Sequence, residues 1–167
     1  FGHALRRAAC VTGQPACKPC PLYRRCAYPA IFETPPPPDV RHGYANVPQP
    51  YVIEPPAPGP LAKNPGEPFA FSLVLIGPTI AQLPLIASSF QHALKDIGRG
   101  SVALQRIRAE DGTPVADFTT SRQIHAPGDA TLAIPEPPAH LEKAVLDFST
   151  PFLLARNGRE IRPDDLT

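Results

Sequence analysis

The hydrophobic pattern of this 167-residue chain is most regular between residues 69 and 108. Phe69–Ile76 is rich in aromatic and β-branched residues and is bounded by proline and glycine, which is typical of a buried central strand. From Leu83 to Ile97 the apolar residues recur at steps of three, four and seven, which predicts an amphipathic helix with Pro84 in its first turn. A glycine turn follows, and Ser101–Arg108 predicts a second strand.

The first ten residues also have the period of a helix. One face of this segment is apolar and is formed by Phe1, Leu5, Ala8 and Ala9. We expect it to be the end of a helix, and we expect the short apolar segment Tyr28–Glu33 to pack the cysteine-rich stretch between them onto a core.

Strand patterns occur on both sides of the central segment. Tyr51–Ile53 predicts an edge strand, and Glu110–Thr113 is a turn signal followed by one half of a hairpin within Val115–Ile124. Val145–Leu154 predicts the third strong strand, with a kink at Thr150-Pro151.

These patterns predict an α+β fold. We expect Phe69–Ile76, Ser101–Arg108 and Val145–Leu154 to share one mostly antiparallel sheet, with the Leu83–Ile97 helix on one face. The right-handed crossover rule makes the first two strands parallel if they share that sheet. The order of strand, helix, glycine turn and strand is that of half a ferredoxin-like β-α-β-β-α-β sandwich.

The amino-acid composition predicts proline-rich linkers and excludes some classes of function. Prolines cluster at 35–38, 48–68 and 135–138, which predicts stiff linkers there, with docking of a partner protein as the alternative. A net charge of +1 excludes a global basic field, so nucleic-acid binding needs a local patch. No apolar run reaches the roughly 20 residues of a membrane span, and without a secretion signal we expect a cytoplasmic protein. Because the sequence lacks methionine and opens inside a helical pattern, we expect it to be a piece of a longer protein.

All four cysteines lie close together in the sequence. Cys10, Cys17, Cys20 and Cys26 have the spacing C-x6-C-x2-C-x5-C. Two thiolates separated by two residues can reach one ion from a tight turn, and the outer two complete a tetrahedral set. Since thiols stay reduced in the cytosol, this favours a structural zinc site over two disulfides, with an iron–sulfur cluster as a third alternative.

Two groups of basic residues are candidates for binding phosphate. Arg6 and Arg7 are adjacent on the first helix, beside His3. The second group surrounds the glycine turn Gly98-Arg99-Gly100 and consists of Lys95, Arg99, Arg106 and Arg108. There, backbone N–H groups could approach a phosphate closely while arginine supplies a bidentate cation. The alternative for both groups is a set of solvated surface charges.

Several segments, taken in order, resemble a known family. They are Phe1–Cys10, Cys26–Tyr28, Ile31–Glu33, Pro50–Pro56, Phe69–Gly77 with Leu83-Pro84, and Phe148–Pro151. In this order they resemble the CRISPR precursor-RNA-processing endoribonucleases of the RAMP superfamily, in the branch that carries a four-cysteine insertion. The resemblance covers nearly the whole chain.

The resemblance implies two ferredoxin-like, RRM-related domains that bind CRISPR repeat RNA and cut it into guide RNAs. Cleavage in that family needs no metal cofactor: a ribose 2′-hydroxyl attacks the neighbouring phosphate and leaves a cyclic phosphate. Residues 1–34 would then be the end of the first domain with its cysteine knuckle, 35–65 a proline-rich linker, and 66–167 an incomplete second domain. Other CRISPR effector or adaptation proteins are the further partners that the family implies.

The catalytic histidine of this family usually lies early in the first domain, upstream of Phe1 on this mapping. Among the five histidines present, His3 is the best candidate because it lies beside two arginines. Two alternatives remain: a non-catalytic RAMP subunit that binds guide RNA in an effector complex, and an unrelated zinc-stapled interaction domain.

Overall fold

The computed structural model describes seven stretches of this chain together with a few further positions. The stretches are residues 1–36, 47–56, 64–97, 100–121 and 123–125 and the strands at 154–156 and 159–161, and the further positions are 135, 136, 140, 143 and 145. The chain divides into two compact units, Phe1–Asp129 and Ala130–Thr167. Helices and small antiparallel sheets occur together, so the α+β class is confirmed.

The core of the larger unit joins the start of the chain to its central helix. Helix α1 spans Gly2–Ala9 and packs against helix α2, which spans Leu83–Ala93. The buried core residues are Leu5, Tyr28, Ile31, Ile86 and Phe90. Ile31 lies in a π-helical turn, Pro29–Glu33, and Tyr28 directly precedes it. Both side chains are in the core, which confirms that this apolar segment packs onto a core. The sequence prediction put residues 1–34 at the end of a first domain and residues 66–167 in a second domain, yet residues from both ranges share this core. The domain boundaries themselves stay a prediction.

Fewer residues of α1 face the core than the sequence pattern predicts. Ala4 and Leu5 are buried, and Phe1 and Ala9 pack against the core, but Ala8 is exposed. The ring of Phe1 stacks on that of Phe90, with 4.3 Å between the ring centroids. Aromatic stacking of this kind adds to the area that the two side chains bury.

Helix α2 follows its predicted period but ends before Ile97. Leu83, Ile86, Ala87, Phe90 and Leu94 are buried as expected, and Pro84 lies in the first turn. Past Ala93 the backbone turns: Val102 N–H donates to the Leu94 carbonyl at 2.8 Å, and Ile97 pairs with Gly100. Ile97 is therefore 49% exposed, and its predicted place on the buried face is wrong. Gly98 and Arg99 lie outside the described residues.

The strongest strand of the sequence is short and belongs to a two-stranded sheet. Within Phe69–Ile76 only Ser72–Leu75 forms a strand, β2, which pairs antiparallel with β1, Tyr51–Glu54. This confirms the predicted edge strand at Tyr51–Ile53. Leu73 and Leu75 are half-buried against the core, whereas Ser72 and Val74 are exposed. The prediction of a buried central strand is wrong, because in the described part of the chain β2 alternates exposed with half-buried residues and is covered on one face.

The second strand prediction is also shortened. Strand β3, Arg106–Arg108, pairs antiparallel with β4, Pro114–Asp117, and the register shifts at the end of β3. The predicted turn at 110–113 is confirmed: Gly112 adopts φ +85°, where a side chain would be strained, and its N–H donates to the Ala109 carbonyl at 2.9 Å. Val115 and Ala116 of β4 are buried.

In the described part of the chain, the first two of the three predicted strands lie in separate sheets. In the described residues β2 pairs with β1 and β3 pairs with β4, and in the smaller unit β5, Leu154–Arg156, pairs with β6, Arg159–Ile161. The single-sheet prediction is therefore wrong. The Val145–Leu154 prediction meets β5 only at Leu154, and residues 146–153, with the predicted kink, lie outside the described residues. No helix among the described residues is long and apolar enough to span a bilayer.

One prediction concerns the start of α1, where Gly2 contacts the Phe32 ring. A Cβ at Gly2 would lie 2.6 Å from Phe32 Cζ, and that ring is itself stacked on Tyr28 and Tyr51. Gly2→Ala is expected to lower the free energy of unfolding by about 1–3 kcal/mol through overpacking, measured by urea denaturation. The control, Ala8→Ser at an exposed position of the same helix, should cost about 0.5 kcal/mol or less. A Gly2→Ala protein as stable as the wild type would contradict this packing.

Candidate functional site

Helix α1 leads directly into the cysteine-rich segment, residues 10–26, here called the cysteine loop. Cys10 caps α1, and its N–H donates to the Arg6 carbonyl at 2.8 Å. Within the loop, Cys20 N–H donates to the Cys17 carbonyl at 2.9 Å, and Cys26 N–H donates to the Leu22 carbonyl at 2.8 Å. Backbone hydrogen bonds thus fold the loop into tight turns, as the C-x2-C spacing predicts.

The four cysteines line one pocket of about 220 Å³, here called the thiol pocket. All four are free thiols and half-buried. Cys10 Sγ lies 3.9 Å and Cys20 Sγ 3.5 Å from the hydroxyl of Thr12, so one side chain contacts two of the four sulfurs. Cys26 Sγ lies 3.8 Å from the Ala9 carbonyl, at the end of α1.

The protein environment affects two of the thiols in opposite directions. A backbone hydrogen bond at Gly13 and the Thr12 hydroxyl lower the pKa of Cys10. Burial, followed by the neighbouring Glu33 carboxylate, raises the pKa of Cys17. Of these two thiols, Cys10 is the one that the surrounding groups favour as a thiolate, the form that binds metals.

The donor set of the thiol pocket fits a thiophilic ion, because four unpaired thiols face one pocket. In the part of the chain that the structure describes, no three His, Cys, Asp or Glu side chains are grouped closely enough to hold one ion. The structural zinc at Cys10, Cys17, Cys20 and Cys26 stays a prediction.

Arg6 fastens the cysteine loop to α1. Its Nη2 donates to the Gln14 carbonyl at 2.6 Å and to the Pro15 carbonyl at 2.7 Å. The guanidinium also lies over the ring of Tyr28, 5.9 Å from its centroid. Arg6 is a sequence candidate for phosphate binding, and these contacts with the loop and Tyr28 are ones that the sequence pattern did not indicate.

A second, open groove of about 700 Å³ lies between α1 and the cysteine loop, and we call it the basic groove. It is lined by His3, Arg6, Arg7, Cys10, Gly13, Gln14 and Pro15. His3 is followed by Arg6 and Arg7 at steps of three and four, which places the three side chains on one side of the helix. His3 and Arg7 are exposed. The structure thus brings together the three candidates that the sequence placed at the start of the chain.

The other basic candidates are more dispersed. Arg106 Nε forms an ion pair with the Asp117 carboxylate at 3.2 Å, with side chains 57% and 36% exposed, so the pair contributes little to stability. Hydrogen bonds from Thr119, and then Arg106, lower the pKa of Asp117. Arg108 and Lys95 are exposed, on β3 and on the turn after α2. Arg99 lies outside the described residues.

Thr12 is the site residue that sequence analysis missed. Its hydroxyl contacts two thiols and helps to lower the pKa of Cys10. Its position two residues after a cysteine was the only signal in the sequence, and threonine is too common for that signal to be specific.

The structure is thus an α+β protein in which a cysteine loop forms one wall of a basic groove. The chain belongs to the AF_1859_N family, whose model, described as an N-terminal domain, matches residues 1–138. The matched region contains α1, the cysteine loop, α2 and the two sheets formed by β1 with β2 and by β3 with β4. No curated protein and no solved structure matches the chain.

Proposed function

We propose that this protein is a CRISPR-associated RAMP protein that binds CRISPR repeat RNA and cleaves precursor transcripts into guide RNAs. The proposal includes a ferredoxin-like, RRM-related fold, a cytoplasmic location and a structural zinc ion in the cysteine loop. The observation that carries it is the basic groove, where His3, Arg6 and Arg7 line one open surface. The ordered resemblance of the chain to the RAMP endoribonucleases adds support.

The groove has the residue types that RNA cleavage by 2′-hydroxyl attack requires. The reaction needs a base to take the proton of the hydroxyl, an acid to protonate the leaving oxygen and a cation near the phosphate. Histidine is suited to proton transfer near neutral pH, and His3 is exposed in the groove. Arg7 is exposed one helical turn away and is suited to a phosphate oxygen.

One observation favours the alternative, a RAMP subunit that binds guide RNA without cutting it. Among the residues that the structure describes, the lining of the basic groove includes a single histidine and no carboxylate. Of the two arginines there, Arg6 already donates to two loop carbonyls. Apart from Cys10, which is assigned to metal binding, the described lining of the groove has a cation for binding and one side chain suited to acid–base catalysis.

Arg7→Ala tests RNA binding at this groove. The variant is expected to bind repeat RNA roughly fivefold more weakly, a loss of about 1 kcal/mol, whatever the RNA sequence. The slope of log affinity against log salt should also fall by about 0.7, the value for one lost contact with single-stranded phosphate. Filter binding at several salt concentrations measures both quantities, and Arg25→Ala, an exposed arginine outside the groove, is the control.

Cleavage distinguishes the two candidate functions. If His3→Ala abolishes cleavage and keeps RNA affinity, the endoribonuclease is supported. Binding without cleavage by the full-length protein, with the segment upstream of Phe1 included, supports the non-catalytic subunit. If Arg7→Ala and Arg25→Ala bind RNA as the wild type does, the groove is not the RNA site.

A further inference from the structure

The thiol pocket and the basic groove share a wall. Cys10 and Gln14 line both of them, so the two spaces are separated by little more than one residue. A change in position of Cys10, the residue that caps α1, would therefore alter both surfaces. The wall consists of loop backbone between Cys10 and Pro15 and contains Gly13, at φ +66°.

Arg6 is the side chain that holds this wall in place. Both hydrogens of its Nη2 are used by successive carbonyls, those of Gln14 and Pro15. Hydrogen bonds from a charged donor are roughly twice as strong as those between neutral groups. Tyr28, which the guanidinium covers, is buried in the core, so Arg6 links the loop to a fixed point.

Arg7 provides the contrast. It follows Arg6 on α1 and lines the same groove, but its side chain makes no hydrogen bond or salt bridge to the residues that the structure describes. The adjacent arginines thus separate two roles: Arg6 contacts the loop, and Arg7 faces the space that a ligand would occupy.

We propose that Arg6 is a positioning residue that couples the two sites, so that metal binding by the cysteine loop increases the affinity of the basic groove for RNA phosphate. This inference rests on the proposed RNA-binding function. An ion that gathers the four thiols fixes Cys10 and the loop backbone, and Arg6 keeps that backbone in contact with α1 as the groove wall. By linkage, RNA must then increase metal affinity by the same factor.

The test measures RNA affinity with and without saturating Zn²⁺ in the wild type, Arg6→Ala and Arg7→Ala. We expect zinc to tighten RNA binding of the wild type by about fivefold or more, within the usual range of coupling between sites. Arg6→Ala should reduce this factor toward one. Arg7→Ala should weaken binding in both states and leave the factor unchanged.

Arg6→Lys separates positioning from charge. Lysine keeps the positive charge but lacks the planar fork that donates to adjacent carbonyls and stacks on an aromatic ring. We expect Arg6→Lys to retain the salt dependence of RNA binding and to lose most of the zinc effect. A zinc effect of wild-type size in Arg6→Ala or Arg6→Lys would overturn the proposal, as would a wild type whose RNA affinity does not respond to zinc.

A measurement of metal binding without RNA tests the role of Arg6 independently of the proposed function. Co²⁺ titration, followed by its thiolate charge-transfer absorption, should show weaker binding in Arg6→Ala and wild-type binding in Arg7→Ala. Should the wild-type protein bind no RNA, the proposed function fails, while the Co²⁺ titration still tests whether Arg6 positions the loop. Equal Co²⁺ affinity in the wild type and both variants would refute that role.

Discussion

Leu5→Ala is expected to lower the free energy of unfolding of the larger unit by about 2–5 kcal/mol, the usual range for a buried leucine. The Leu5 side chain is fully buried and lies in the core with Tyr28, Ile31, Ile86 and Phe90. Removing three carbons there leaves a cavity that the aromatic neighbours can only partly fill. Urea denaturation measures the loss.

The position of the loss matters as much as its size. Because Leu5 on α1 and Ile86 on α2 share one core, amide hydrogen exchange should accelerate in both helices together. Val11→Ala is the control, since Val11 is 83% exposed and its substitution should change stability by less than about 0.5 kcal/mol. If exchange rises in α1 alone, the two segments fold independently, as the predicted boundary after residue 34 implies.

Helices were the part of the fold that could be predicted from the sequence. The spacing of Leu83, Ile86, Phe90 and Leu94 records which face is buried, and that information is local. The helix end was misplaced because Ile97 continues the period in sequence after the backbone has already turned. Periodicity shows where apolar residues would be buried in a helix, and it carries no information on whether the helix continues.

Strand pairing could not be predicted in the same way. The apolar run Phe69–Ile76 has the composition of a strand covered on both faces, yet β2 is covered on one face and pairs only with β1 in the described part of the chain. The pairing partner lies about twenty residues upstream and is chosen by the tertiary packing of Tyr51 and Leu75 on the core. Strand propensity depends on such context more than helix propensity does.

The sequence indicated which residue types form the candidate site but not which contacts they make. Cysteine spacing predicted that all four thiols bind one metal ion; they line one pocket, and the metal site itself stays a prediction. The adjacent Arg6 and Arg7 look equivalent in the sequence, because both are arginines on one helix. Only the fold shows that Arg6 reaches the carbonyls of Gln14 and Pro15, since backbone acceptors have no signature in the sequence.

Removal of a bound metal ion is expected to destabilise the cysteine loop. We predict one Zn²⁺ per chain, bound by four thiolates at about 2.3 Å, and its loss in Cys20→Ser. An ion at a thousandfold excess over its Kd stabilises the form that binds it by about 4 kcal/mol. Chelation should therefore lower the melting temperature and increase exchange in residues 10–26. Metal analysis, X-ray absorption and thermal unfolding measure these three outcomes.

The control for this prediction is Ala16→Ser, an exposed position directly before Cys17 that offers the same hydroxyl without removing a thiol. It should bind zinc as the wild type does, whereas Thr12→Val should bind it more weakly, because the Thr12 hydroxyl contacts the sulfurs of Cys10 and Cys20. Iron with acid-labile sulfide and visible absorption would identify an iron–sulfur cluster in place of zinc. Two disulfides in the protein purified under reducing conditions would refute the tetrathiolate site, because a metal ion binds the thiolate form of cysteine. Four free thiols that bind no metal would refute it as well.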